Sequence, residues 1–272
     1  MEQRKEIKIS SWIEKLLSEG KNAFSLNFLR QELPYYSEIA IKRALNRLSL
    51  KGKTVSVFKG YYLIISPQYA ARGILPPALF IDGLMKYLNK SYYVGLINAA
   101  AFHGAAHQQP QEFFVFTESV VLRPIQKKGI KIHFISISSI CHSWLMDVKT
   151  ETGYLKVSNP LLTAIDLIRY EKRIGGLSRA AIVIEELSEV IDPETINSEM
   201  IDSIPLATWQ RLGYILDVVL DKPTLAEAIL SKLQLGNKNL YRIPLKASGE
   251  KKDLTVNEKW NIVINASIET DF

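Results

Sequence analysis

The chain has 272 residues, of which 47% are hydrophobic and 23% charged, enough apolar content to fill the core of one or two domains. Its single cysteine, Cys141, excludes an internal disulfide and a multi-cysteine zinc site. The net charge of +6 is uneven: residues 1–65 hold 12 Lys+Arg against 6 Asp+Glu, while residues 66–272 hold 22 of each.

Charge confined to one small module points to a dedicated polyanion-binding surface, and DNA is the first candidate. The opening Met-Glu-Gln-Arg-Lys-Glu lacks the apolar core of a signal peptide. The longest weakly polar stretch, Tyr92 to Phe102, is interrupted by Asn98 and is too short to cross a bilayer. A soluble cytoplasmic protein with no membrane association is expected.

Taken in chain order, Ile9, Ile13, Leu16 and Leu17 recur at helical spacing from about Ile7, with Gly20 as a stop. Ser25 is placed to cap a short helix burying Leu26, Leu29 and Leu33, which Pro34 ends. Ser37 opens a third helix with Ile41, Leu45 and Leu48 as its buried stripe, closed by Gly52. Thr54 to Phe58 and Tyr61 to Ile65 then read as a hairpin turning at Lys59-Gly60. Three helices followed by a basic-tipped hairpin predict a winged helix-turn-helix over residues 1–65.

A recognition helix enters the major groove with its N-terminus leading, so Ser37, Glu38, Lys42 and Arg43 would meet base edges or nearby phosphates. Asn46 and Arg47 continue that face. Lys51, Lys53 and Lys59 would lie along the DNA backbone, where cations release condensed counterions. Two other readings stay open: a merely solvated helix face, and a winged fold used for protein docking. Tyr35 and Tyr36 either contact phosphate or close the three-helix core.

Gly73, Pro76 and Pro77 mark residues 66–90 as a linker that ends in a connecting helix, Ala78 to Leu88. The domain expected from 91 to 272 begins with a helix over Tyr92 to His103. Strands follow near Glu112–Thr117, Ile130–Ser136, Leu145–Lys149 and Tyr154–Val157. Asn159-Pro160 is a strong helix start, and helices are expected through Ala180 to Leu187, from Asp192-Pro193, from Pro205 to Leu220 and from Pro223 to Leu233. A polar stretch from Gly236 through Lys252 leads to a last strand, Trp260 to Asn265. The fold class is α+β, an N-terminal winged helix-turn-helix plus a C-terminal mixed α/β domain.

The winged module is joined to Tyr92-Tyr93, to the run Ala99 to Gly104 (AAAFHG), to Asn159 to Asp166 (NPLLTAID) and to Trp260 to Asn265 (WNIVIN). In that order, over nearly the whole chain, these segments resemble the AbiEi antitoxins of type IV toxin–antitoxin and phage-defence systems. Each motif is short and mostly structural, so the combination carries the resemblance. It implies a transcriptional regulator that represses its own operon by binding double-stranded DNA at promoter inverted repeats. It also implies a functional partner, a nucleotidyltransferase toxin opposed without a stable complex. The C-terminal domain would neutralise the toxin's effect and assist DNA binding.

The residues give little support to an enzyme. His103 and His107 are four apart, but Gly104 between them breaks the helix that would align them as metal ligands. Glu112 with Asp147-Val148-Lys149 has the spacing of a magnesium nuclease, a pattern frequent by chance and equally explained by a surface ion pair. No phosphate-cradling glycine loop or nucleophile elbow is present. No cofactor, metal or catalytic residue is expected. The alternatives are a ligand-responsive winged-helix regulator and, behind it, a metal-dependent nuclease. Asp166, beside Arg169 and Tyr170, is read first as an internal anchor of its domain, with a part in toxin antagonism as the second reading.

Overall fold

The computed structural model describes residues 7–106, 110–119, 121–247 and 255–270. It divides the chain into two compact units. The first is Met1–Tyr93, Gln111–His142 and Met146–Lys156; the second is Val94–Pro110, Ser143–Leu145 and Val157–Phe272.

The first unit opens with α1 (Ile9–Ser18), β1 (Ala23–Ser25), α2 (Leu26–Glu32) and α3 (Glu38–Leu50). The capping residues act as their chemistry predicts. Ser25 Oγ accepts the Phe28 N–H at 3.0 Å and Ser37 Oγ accepts the Ala40 N–H at 3.3 Å. Ile41 and Leu45 of α3 pack into a cluster with Ile9, Trp12, Ile13, Leu16, Phe24, Leu29 and Leu33. The hairpin strands β2 (Thr54–Phe58) and β3 (Tyr61–Ile64) are antiparallel, and β1 adds on the outer side of β3, pairing Phe24 with Tyr62. Three helices with this small sheet form the expected winged helix-turn-helix. The short strand β1 was hidden in sequence because three residues are too few to show alternation.

The connecting helix is shorter than expected: a 3₁₀ turn at Pro77–Leu79 precedes α4 (Ile81–Tyr87). The helix expected from Tyr92 starts later. Tyr92–Val94 is a strand, β4, and α5 runs from Leu96 to Phe102. Gly95 interrupts the apolar run, and a run of this length cannot by itself separate strand from helix. The strands β5 (Glu112–Glu118), β6 (Ile125–Lys127), β7 (Ile130–Ile137), β8 (Leu145–Thr150) and β9 (Gly153–Ser158) complete a mixed six-stranded sheet, ordered β6-β7-β5-β4-β9-β8. β5 pairs with β7 in parallel, and Phe113 to Thr117 are buried, which is why its sequence is continuously apolar rather than alternating. The three-residue β6 escaped sequence reading for the same reason as β1.

In the second unit, α6 (Pro160–Arg169), α7 (Glu171–Ile174), α8 (Leu177–Ser188), α9 (Ser198–Ser203), α10 (Leu206–Tyr214) and α11 (Pro223–Leu235) surround a core that includes Trp209 and Trp260. Asn159 caps α6, its side chain accepting the Leu162 N–H at 2.8 Å. Asp192-Pro193 opens only a 3₁₀ turn, and the helix expected to Leu220 continues past Tyr214 as a π-helical turn, Ile215–Val219. The last strand is also shorter. β12 is Ile262–Val263, paired with β10 (Ile243–Pro244) and β11 (Val256–Asn257). The mixed α and β content agrees with the α+β class. Among the described residues no helix is long and apolar enough to cross a membrane.

Candidate nucleic-acid interface

The candidate surface is the outer face of α3. Burial of Ile41 and Leu45, with half-buried Ala44 and Leu48, fixes the rotation of the helix. Glu38, Ile39, Lys42, Arg43, Asn46, Arg47 and Lys51 are therefore exposed. Glu38 pairs with Arg30 of α2 at 2.7 Å, while among the described residues no acid pairs with Lys42, Arg43 or Arg47. The Ser37 side chain is engaged in capping, so its first role is to fix where the helix starts. Among the sequence-derived residues, Lys42, Arg43, Asn46 and Arg47 are brought onto one helix, with Lys51 at its C-cap. Lys53 precedes the hairpin and Lys59 stands exposed at its turn.

Two grooves flank α3. The first, against the start of α1, is lined by Lys8, Ser10, Tyr36, Arg43, Arg47 and Lys51. The second, between α3, α2 and the hairpin, is lined by Arg30, Glu38, Ile39, Lys42, Asn46, Ser56, Tyr62 and Lys127. Lys8, Arg30, Ile39 and Lys127 were not singled out from sequence. Arg30 is marked only by lying on the helix before the turn. Ile39 could have been found, because it sits about 200° around the helix from Ile41 and so off the buried stripe. Lys127 had no sequence signal at all, since only the sheet topology brings it to this groove. Tyr35 and Tyr36 close the module: the Ile7 N–H donates to Tyr35 Oη at 2.8 Å, and Tyr36 Oη donates to the Ile7 carbonyl at 3.4 Å.

Packing also redistributes the charge. The neutral balance of residues 66–272 divides between the units: the first unit carries 21 Lys+Arg against 11 Asp+Glu, and the second 13 against 17. The cationic excess follows the unit that contains α3 and extends past residue 65.

The remaining candidates are occupied in other ways. His103 ends α5, and its Nε2 lies 2.7 Å from the Ser158 carbonyl. Burial lowers its pKa, opposed by that hydrogen bond. His107 lies outside the described residues. Glu112 pairs with Lys131 and Asp147 with Lys156, and two strands separate β5 from β8. At a strand spacing of about 4.8 Å the two acids stand on strands about 14 Å apart, too far to share one magnesium ion. Among the described residues no group of three His, Cys, Asp or Glu is placed to hold a metal. Asp166 is fully buried in α6 and its charge acts on Tyr170, whose ring also meets the Arg169 guanidinium at 5.5 Å.

A helix with a basic outer face, a wing and an α+β unit define a winged helix-turn-helix protein with an additional domain. Residues 93–218, a little under half of the chain, match the AbiEi antitoxin C-terminal domain, the family that the sequence resemblance named. No curated protein matches the chain. Among solved structures it is similar to the RV2827C protein from Mycobacterium tuberculosis. That likeness has a TM-score of 0.68 and covers 93% of this chain and 90% of that one. At 16% identity the likeness is one of fold.

Proposed function

We propose that this chain is the antitoxin of a type IV toxin–antitoxin pair and the repressor of its own operon. It binds promoter inverted repeats through α3 and the β2–β3 wing, and opposes a nucleotidyltransferase toxin without forming a stable complex with it. It acts without catalysis. The reading of the chain as an antitoxin rests on the domain match at residues 93–218. The DNA-binding reading rests on one observation, the exposed and acid-free row Lys42, Arg43, Asn46 and Arg47 on a helix whose other face is locked in the core. Cations on such a face gain affinity by displacing counterions from phosphates, and Arg and Asn can also read base edges.

Ser37, Glu38, Lys42, Arg43, Asn46 and Arg47 are assigned to the major groove and its rim, and Lys51, Lys53 and Lys59 to the phosphate backbone. Residues 1–65 form the DNA-binding module, 66–90 the connection and 91–272 the antitoxin domain; Lys127 falls in the last range by number but packs in the same unit as α3 and lines its groove. The test keeps the chain whole. Lys42→Ala/Arg43→Ala should release a reporter driven by the promoter upstream of the gene while still rescuing growth of cells expressing the neighbouring toxin gene. Loss of both functions together, in a variant that remains folded, would overturn this division.

A further inference from the structure

Ile39 is a large apolar side chain in the first turn of α3, 66% exposed. An isolated surface isoleucine would need no explanation. Its surroundings are what make it informative. With about 100° per residue, Lys42, Arg43 and Asn46 all lie within about 60° of Ile39 around the helix axis. Ile39, Lys42, Arg43 and Asn46 line one groove with Arg30 and Glu38. Leu26, Ile41 and Leu45 also line this groove, but Ile41 and Leu45 are buried and Leu26 is half-buried, so Ile39 is the apolar side chain exposed on a helix face that is otherwise charged and polar, at the end of the helix that enters a major groove first.

The chemistry of the groove floor offers one apolar group, the C5 methyl of thymine. We infer that Ile39 is a specificity-determining residue that packs against a thymine methyl group, selecting a T·A pair at one position of each half-site. This deepens the proposed DNA-binding role of α3 and rests on it. Lys42 and Arg43 supply attraction to the polyanion, and Ile39 supplies discrimination that charge cannot, because a methyl group is uncharged. Glu38, held by Arg30, stands beside it as an acceptor rather than as a competing apolar contact.

The experiment uses the full chain and duplexes from the promoter region upstream of its gene, with each thymine replaced singly by deoxyuridine. That replacement removes the methyl and leaves base pairing intact. One thymine per half-site should matter, its replacement weakening wild-type binding about fourfold, the value of one buried apolar carbon. Ile39→Ala should weaken binding to the thymine duplex by at least as much and become indifferent to the same replacement. Ile39→Val, which keeps a branched apolar surface, should retain sensitivity. Sequence-specific binding with no sensitive thymine would overturn the inference and leave the DNA-binding reading intact, as would a sensitivity that persists in Ile39→Ala. Absence of any specific duplex binding by the wild type would overturn the DNA-binding reading, and the inference with it.

Discussion

Tyr87 donates its hydroxyl hydrogen to the backbone carbonyl of Lys59 at 3.1 Å, so the tip of the wing is tied to α4. The next residue, Gly60, has φ of +77°, and a Cβ there would lie 2.6 Å from the Tyr87 hydroxyl oxygen. Its carbonyl accepts the Leu26 N–H at 2.8 Å, fixing the other side of the turn. On the proposed DNA-binding reading, a wing held this way would present Lys59 to the DNA backbone at little ordering cost. Tyr87→Phe should cost about 0.5–1 kcal/mol of stability, the worth of one partly exposed hydrogen bond. It should also speed amide exchange at Leu26 and in the wing, and weaken binding to all DNA sequences alike. Unchanged exchange at these amides would show that the tie does not hold the wing.

The groove lined by Lys42 and Lys127 separates two kinds of cation. Arg43→Ala should cost about 1–3 kcal/mol on the operator and relax specificity at one position, as expected for a contact to a base edge. Lys127→Ala and Lys59→Ala should each weaken specific and random duplexes equally. Each should lower the dependence of log affinity on log salt by about 0.9, the share of one phosphate. Gel-shift titrations over a range of salt concentrations check both. A Lys127→Ala protein with the wild-type salt slope would remove β6 from the interface.

The winged module was legible because its signals are local. Ser25, Ser37 and Asn159 mark helix starts through contacts spanning three residues, and Gly20, Pro34 and Gly52 mark ends or turns. Strands β5, β7, β8 and β9 were legible as β-rich runs. What was not legible depends on partners remote in sequence. Tyr92–Val94 becomes a strand through the sheet it joins, and Lys127 reaches the α3 groove through the β6–β7 pairing. The cationic faces were readable from composition, but the division of charge between units was not. A cut at residue 65 separates segments that pack together.

His103 makes stability depend on pH. Burial lowers its folded pKa below the unfolded value of about 6.5, so the unfolded chain binds more protons in this range. The contribution is complete above about pH 6.5 and is lost as pH falls below it toward the folded pKa. Urea midpoints should fall between pH 7.5 and pH 5.5. His103→Gln, which keeps an N–H able to reach the Ser158 carbonyl, should flatten that fall. An equally steep fall in His103→Gln would assign the dependence to other groups.

Gly213 and Trp260 test how far the antitoxin domain extends past its matched region. The match ends at residue 218, yet the Trp260 ring lies against Gly213, 2.1 Å from where a Cβ would stand. The indole is fully buried. Its Nε1 donates to Asp217 Oδ2 at 2.9 Å, and its carbonyl accepts from Gln210 Nε2 at 2.8 Å. Any side chain at 213 must therefore push α10 away from the segment leading into β12. Both are already fixed, since Arg211 donates to the Pro244 carbonyl at 3.1–3.2 Å beside β10. Alanine normally favours a helix over glycine by about 1 kcal/mol, but overpacking a filled core costs about 1–3 kcal/mol, and with backbone and ring both held the upper end applies. Gly213→Ala should accordingly lower the urea midpoint and expose Trp260, seen as red-shifted fluorescence, whereas in a Trp260→Leu background, where the smaller side chain makes room, the same Gly213→Ala change should cost little further stability. Rescue of toxin-expressing cells should fall with the soluble fraction of Gly213→Ala and return in the double variant. Wild-type stability in Gly213→Ala would mean that the residues after 218 are an appendage to the domain rather than part of its core.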